Sequence, residues 1–196
     1  MMDIVLASAS PRRRELLGGV VSSFQVAPVE IDEERWFKGD PDEGARLAAL
    51  EKARVASENF PQSLVIGADT VVVLDHHILG KPKDYDDACR MLEILSGREH
   101  EVMTGVAIVS HEGEACGVEI TRVRFGQLTY EQIQAYVASG EPFDKAGAYG
   151  IQGRASAFVE GITGCYFNVV GLPVFRLAKM LEERGVCVWR FWNLSP

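Results

Sequence analysis

The chain has 196 residues, 47% of them hydrophobic and 24% charged, with a net charge of −8. This is the composition of a globular protein long enough to bury a sizeable core, as one domain or two small lobes. The acidic balance speaks against a broad nucleic-acid-binding face, and no apolar run approaches the roughly 20 residues that span a bilayer.

Residues 3–8, "DIVLAS", read as a short buried strand. The strand feeds Ser10-Pro11, a capping hydroxyl followed by proline at the first helical position, so a helix is expected from Pro11 to about Leu17. Residues 23–32, "SFQVAPVEID", read as a second strand that stops in acidic residues. Residues 42–58 are rich in Ala, Leu, Glu, Lys and Arg with acid at the start, a clear helix. The Val- and Ile-rich segment 63–75 is a strong strand signal broken by Gly67 and Asp69, and 76–84 follow as turn and loop.

A helix over 84–97 is closed by Gly97, and segments 100–110 and 115–128 read as paired strands around a turn at Glu112-Gly113. A short helix capped by Thr129 and stopped by Gly140 precedes a Gly-rich loop over 140–153. Residues 156–171 look strand-like with a glycine turn, and 172–185 form the last long helix, with Pro173 in its first turn. The tail 186–196 is apolar and aromatic, fitting an extra strand, a segment packed on a neighbouring subunit, or a loose end. Strands alternating with helices around a central meander imply an α/β fold with a mixed sheet.

The four cysteines, Cys89, Cys116, Cys165 and Cys187, are spread out without a C-x-x-C pair. That spacing favours reduced buried thiols over structural zinc or a disulfide framework. With no recognisable signal peptide, a cytoplasmic location is the expectation.

Several residues could carry chemistry. Arg12, Arg13 and Arg14 occupy the first turn of the first helix, where the macrodipole already makes the field positive. Either they are solvated surface charges, or an anion completes the site with the Ser8 and Ser10 hydroxyls and the free N–H groups. Asp69 enters a run of branched apolar residues, a costly place for a carboxylate unless it serves a metal ion, serves a water, or ends a loop. Thr70 follows on the other side of the strand, or lines the same pocket if the chain bends. Glu30, Asp32, Glu33 and Glu34 form either a solvated acidic loop or a source of Mg²⁺ ligands. Lys52, Lys81 and Lys145 are candidate phosphate cations, or surface lysines. The amide of Gln152 offers both a donor and an acceptor, matching the O4 acceptor and N3 donor of a uracil or thymine edge. His76-His77 has weak spacing for a metal site.

Six segments in order, "LASASPRRRELL", "GADTVVV", "LGKPKD", "LSGREHEVMTGVAI", "DKAGAYGIQG" and "VVGLP", resemble the Maf family of nucleoside triphosphate pyrophosphatases over about residues 3–184. The resemblance implies an α/β fold of the inosine triphosphatase-like kind, with a mixed twisted sheet, flanking helices and two lobes around a deep cleft. It implies one Maf-like domain over 1–184, with 185–196 outside the family pattern. It implies hydrolysis between the α- and β-phosphates of a nucleoside triphosphate with a divalent cation, Mg²⁺ or Mn²⁺. By the same resemblance Asp69 is the proton acceptor that activates water, beside the metal with Glu33. Arg12, Thr70 and Gln152 match positions for base choice, and Ser8, Arg13, Lys52 and Lys81 match the phosphate-facing set; Lys145 joins that set from its place in the loop. The form "AGAYGIQG" resembles the dTTP/UTP branch of the family. The alternatives are the same reaction on 7-methyl-GTP or another base, or a septum-formation regulator that acts by binding. A nucleotide substrate, with no nucleic-acid polymer and no membrane, and a homodimer are the partners this reading allows.

Overall fold

The computed structural model describes residues 3–192. In chain order the elements are β1 (Ile4–Leu6), α1 (Pro11–Gly18), β2 (Gln25–Val26), α2 (Pro41–Ser57), β3 (Leu64–Leu74), β4 (His77–Leu79), α3 (Tyr85–Leu95), β5 (Glu99–Ser110), β6 (Gly113–Phe125), α4 (Tyr130–Ala138), β7 (Val159–Thr163), α5 (Tyr166–Val170) and α6 (Val174–Glu182). Short 3₁₀ turns fill Glu33–Trp36, Glu141–Asp144, Ala146–Ala148, Arg154–Phe158 and Val188–Phe191. The strands form one mixed seven-stranded sheet in the order β2-β1-β3-β5-β6-β7, with β4 hydrogen-bonded to β3. This is the mixed α/β fold with flanking helices that the sequence implies.

The chain divides into two compact units. Among the described residues the first holds 3–69, 104–119 and 171–192, and the second holds 70–103 and 120–170. In the first unit β1 pairs in parallel with β2 and with β3, Val5 opposite Val65. Alternation along the strands sorts side chains to two faces. Ile4, Leu6, Leu64, Ile66 and Ala68 pack with Leu17 of α1, with Val21 just after it, and with Leu177 and Leu181 of α6. Val5, Ala7 and Val65 pack on the opposite face with Ala49, Leu50, Ala53 and Ala56 of α2. The start of the tail joins the first of these cores, Val188 buried and Phe191 packed against it; residues 193–196 lie outside the described residues.

Several elements differ from expectation. The segment 23–32 yields only a two-residue strand, both residues exposed, while Phe24, Ala27 and Val29 pack against the two cores from outside it. Gly67 and Asp69 do not break β3, which runs unbroken for 11 residues. Gly67 instead makes room: a Cβ there would lie 2.1 Å from the carbonyl oxygen of Ala49 and 2.8 Å from the nitrogen of Ala53. The helix α2 therefore rides directly on the strand.

In the second unit, part of the expected loop 76–84 pairs as β4 after a two-residue reversal at Asp75 and His76, both at positive φ. "YFNVV" is helical in α5 rather than strand-like. Its buried Asn168 donates to the carbonyl of Val102 and to Thr121 Oγ1, both at 2.9 Å, which ties the helix to the strands. Thr129 caps α4, as the sequence leads one to expect, and Gln132 completes a capping box with it.

Candidate active site

The first unit gathers one set of polar groups just beyond the C-terminal end of β1 and another around the middle of β3. Beyond Leu6 the chain turns through Ser8 and Ser10 into α1, where Ser10 Oγ accepts the Arg13 N–H at 3.4 Å. Ser8 Oγ accepts the Ser10 N–H at 3.2 Å and Arg13 Nη1–H at 3.3 Å. Arg13 Nε–H donates to the carbonyl of Gly171 at 2.8 Å. The guanidinium is thus folded back over the turn and fixed at both ends. Gly171 stands at φ 125, in the region that favours glycine, so its carbonyl is aimed by a backbone conformation few other residues adopt. Of the neighbouring arginines, Arg12 is half-buried and Arg14 is exposed.

The second cluster follows from the face rule. Leu64, Ile66 and Ala68 belong to the α1 and α6 face, so Val65, Gly67 and Asp69 point to the face covered by α2. There Lys52 reaches Asp69 Oδ1 at 2.6 Å and Glu33 Oε1 at 2.5 Å. Lys52 and Asp69 are both buried, whereas the Glu33 side chain is 47% exposed. The close approach at Gly67 brings α2, and with it Lys52, within reach of the strand.

Burial pushes the Asp69 carboxyl above its ordinary range; Lys52 and Arg13 pull against that shift and Glu33 adds to it. Burial lowers the Arg13 guanidinium, opposed by Asp69 and Glu33, and it remains a cation. A carboxyl raised in this way is a better proton acceptor than an exposed one. The two carboxylates converge on a single cationic point, now filled by the Lys52 ammonium. Among the described residues no group of three or more His, Cys, Asp or Glu is placed to hold a metal ion. Asp69 and Glu33 are the two carboxylates this cluster could offer a divalent cation, a number that suits an ion completed by phosphate oxygens and water.

Thr70, Lys81, Lys145 and Gln152 belong to the second unit. Thr70 is half-buried, and Lys81 and Gln152 are exposed. The Gly147 N–H donates to the carbonyl of Gly80 at 3.0 Å, tying the Lys81 loop to the Gly-rich loop. Lys145 Nζ donates to the carbonyl of Glu141 and to Asp144 Oδ1, each at 2.6 Å, and its stem lies where a Cβ on Gly150 would be. Lys145 is thus a strut of its own loop, and a phosphate would have to compete with two acceptors already in place.

The Gly171 carbonyl escapes residue-by-residue reading, since a main-chain acceptor 158 residues from Arg13 leaves no side-chain signal. Its only trace is the "VVGLP" segment itself.

The family model described as "Maf-like protein" matches residues 3–184. A protein of Geobacillus sp. named dTTP/UTP pyrophosphatase is 50% identical over 185 residues, covering 94% of this chain and all of that protein. One of the same name from Symbiobacterium thermophilum is 52% identical over 185 residues, covering 94% and 95%. Among solved structures, the Staphylococcus aureus Ham1 protein superposes with a TM-score of 0.52 at 13% identity, over 93% of this chain and 99% of that one, a likeness of fold alone.

Proposed function

Because the chain belongs to the Maf family, we propose that it is a pyrophosphatase that hydrolyses dTTP and UTP between the α- and β-phosphates, releasing the nucleoside monophosphate and pyrophosphate. The observation that carries the chemistry is the meeting of Lys52, Glu33 and Asp69, in the same unit as the Arg13–Ser8 turn. In this reading Arg13, Ser8, Lys52 and Lys81 bind phosphate oxygens, with charge-assisted hydrogen bonds from the cations. Lys145 joins them once it releases Asp144.

Asp69 takes the proton of the water that attacks the α-phosphorus, and the bond to the bridging oxygen breaks as pyrophosphate leaves. The raised carboxyl of Asp69 supports that role. Glu33 and Asp69 would hold the divalent metal, Mg²⁺ or Mn²⁺, displacing the Lys52 ammonium toward the phosphates. When bound there, the metal would neutralise charge that builds on the phosphate oxygens. Gln152 reads the O4 and N3 edge of uracil or thymine, with Arg12 and Thr70 as further contacts for base choice.

Among the described residues no helix is long and apolar enough to cross a membrane. All four cysteines are free, in keeping with a reducing cytoplasm.

The test is pyrophosphate release from a panel of nucleoside triphosphates with Mg²⁺ or Mn²⁺, wild type beside Asp69→Asn. Turnover of dTTP and UTP that falls by at least about 100-fold in the variant is expected. Purine turnover alone would discard the base assignment. No turnover of any triphosphate by folded protein would discard the enzyme and favour a role through binding.

A further inference from the structure

The Gly-rich loop of the second unit is anchored from beneath. Gly147 at φ 67 and Ala148 at φ 58 reverse the chain, and a Cβ on Gly147 would sit 2.9 Å from Val72. The reversal drives Tyr149 inward, where its hydroxyl lies 2.8 Å from His100 Nε2. His100, Phe125 and Tyr149 pack edge to face, with ring centroids 4.8 to 5.4 Å apart. Three residues on, Gln152 stands exposed in a tight turn closed by the Gly153 N–H to the Gly150 carbonyl at 3.0 Å, with Ile151 buried beneath it. On the far side Glu141 Oε2 accepts the Arg154 N–H at 3.1 Å, while its Oε1 accepts the Tyr136 hydroxyl at 3.1 Å. The turn is therefore held at both of its feet.

We propose that His100 and Tyr149 are positioning residues for base discrimination: their buried hydrogen bond fixes the turn that presents Gln152. The inference rests on the reading that Gln152 contacts the base. Packing alone would not call for this pair. His100 is 2% exposed, and among the described residues its Nδ1 has no hydrogen-bond partner. Two apolar side chains would fill the same space without that cost. What the polar pair adds is direction. A 2.8 Å hydrogen bond sets the depth and rotation of Tyr149, and only Gly150 and Ile151 separate that anchor from Gln152. An amide that must meet a donor and an acceptor at once tolerates little displacement.

The test compares kcat/KM for UTP and CTP, since cytosine reverses the donor and acceptor that Gln152 would meet. Tyr149→Phe keeps the ring and removes the hydroxyl. His100→Asn cannot reach the hydroxyl, whereas His100→Gln places an amide near the position of Nε2. Tyr149→Phe and His100→Asn are expected to lower the UTP over CTP ratio about tenfold, chiefly through KM for UTP, with kcat changed less than about twofold. His100→Gln should keep the ratio within about twofold of wild type. Equal losses on UTP and CTP would mark a merely structural role and overturn the proposal. Should Tyr149→Phe fail to fold, the two His100 variants carry the comparison. Gln152→Ala separates the two levels of the argument. If it abolishes the preference while Tyr149→Phe and His100→Asn retain it, the positioning role alone fails. If Gln152→Ala also retains it, the reading of Gln152 fails and the positioning role with it.

Discussion

Acidification from pH 7 to pH 5 should cost the folded protein about 2 kcal/mol through His100 alone. The ring is 2% exposed, and burial lowers its pKa from 6.5 to about 4. In the unfolded chain His100 takes up a proton as the pH falls through 6.5, while in the folded protein it stays neutral until about pH 4. Within that window the unfolded state binds more protons, so stability declines with falling pH. Above 6.5 the penalty is absent, and by pH 4 the gap between the two values amounts to about 3 kcal/mol. The assay is urea unfolding of wild type and His100→Gln at pH 5, 6 and 7. The variant lacks the titrating ring, so wild type should lose about 2 kcal/mol more than the variant between pH 7 and 5. Parallel pH profiles, or a His100 resonance that titrates near 6.5 in the folded protein, would refute the reasoning.

Two further outcomes follow from the first unit. Lys52→Met leaves the buried Asp69 carboxylate without its 2.6 Å partner, and should destabilise the apoprotein by about 3 kcal/mol at neutral pH. Glu33, half exposed, contributes little to that cost; urea denaturation within about 1 kcal/mol of wild type would show that Lys52 does not neutralise the pair. Gly67→Ala puts a methyl group 2.1 Å from the Ala49 carbonyl oxygen, where main chain cannot give way. Pushing α2 off the strand should cost about 1–3 kcal/mol or more and lower the melting temperature by several degrees. An unchanged melting temperature would mean that the helix does not ride on β3.

Local signals carried much of the fold. Ser10-Pro11 starts α1 because a hydroxyl cap and a preset φ act within one turn of chain. Thr129 caps α4 and Gly97 stands at positive φ after α3 for the same reason. Asp69 stands out in the sequence because a carboxylate inside an apolar strand is unusual wherever the chain folds. The sequence by itself thus determined the caps, most of the order of elements and the mixed sheet, but not β4 or the helix α5.

What only tertiary structure decided is how distant segments meet. Alternation places Asp69 on the face of Val65, yet nothing local says that α2 covers that face or that Gly67 lets it approach. Lys52 looks like any helical lysine until that approach leaves it between two carboxylates. The same limit applies to "YFNVV", whose branched and aromatic residues favour a strand locally but form a helix fixed by buried Asn168. It applies also to Arg13, held over the turn that starts its own helix by a carbonyl 158 residues away. Caps and turns are settled by neighbours in sequence, whereas burial and charge pairing depend on which surfaces the chain brings together, and that follows from packing the whole core.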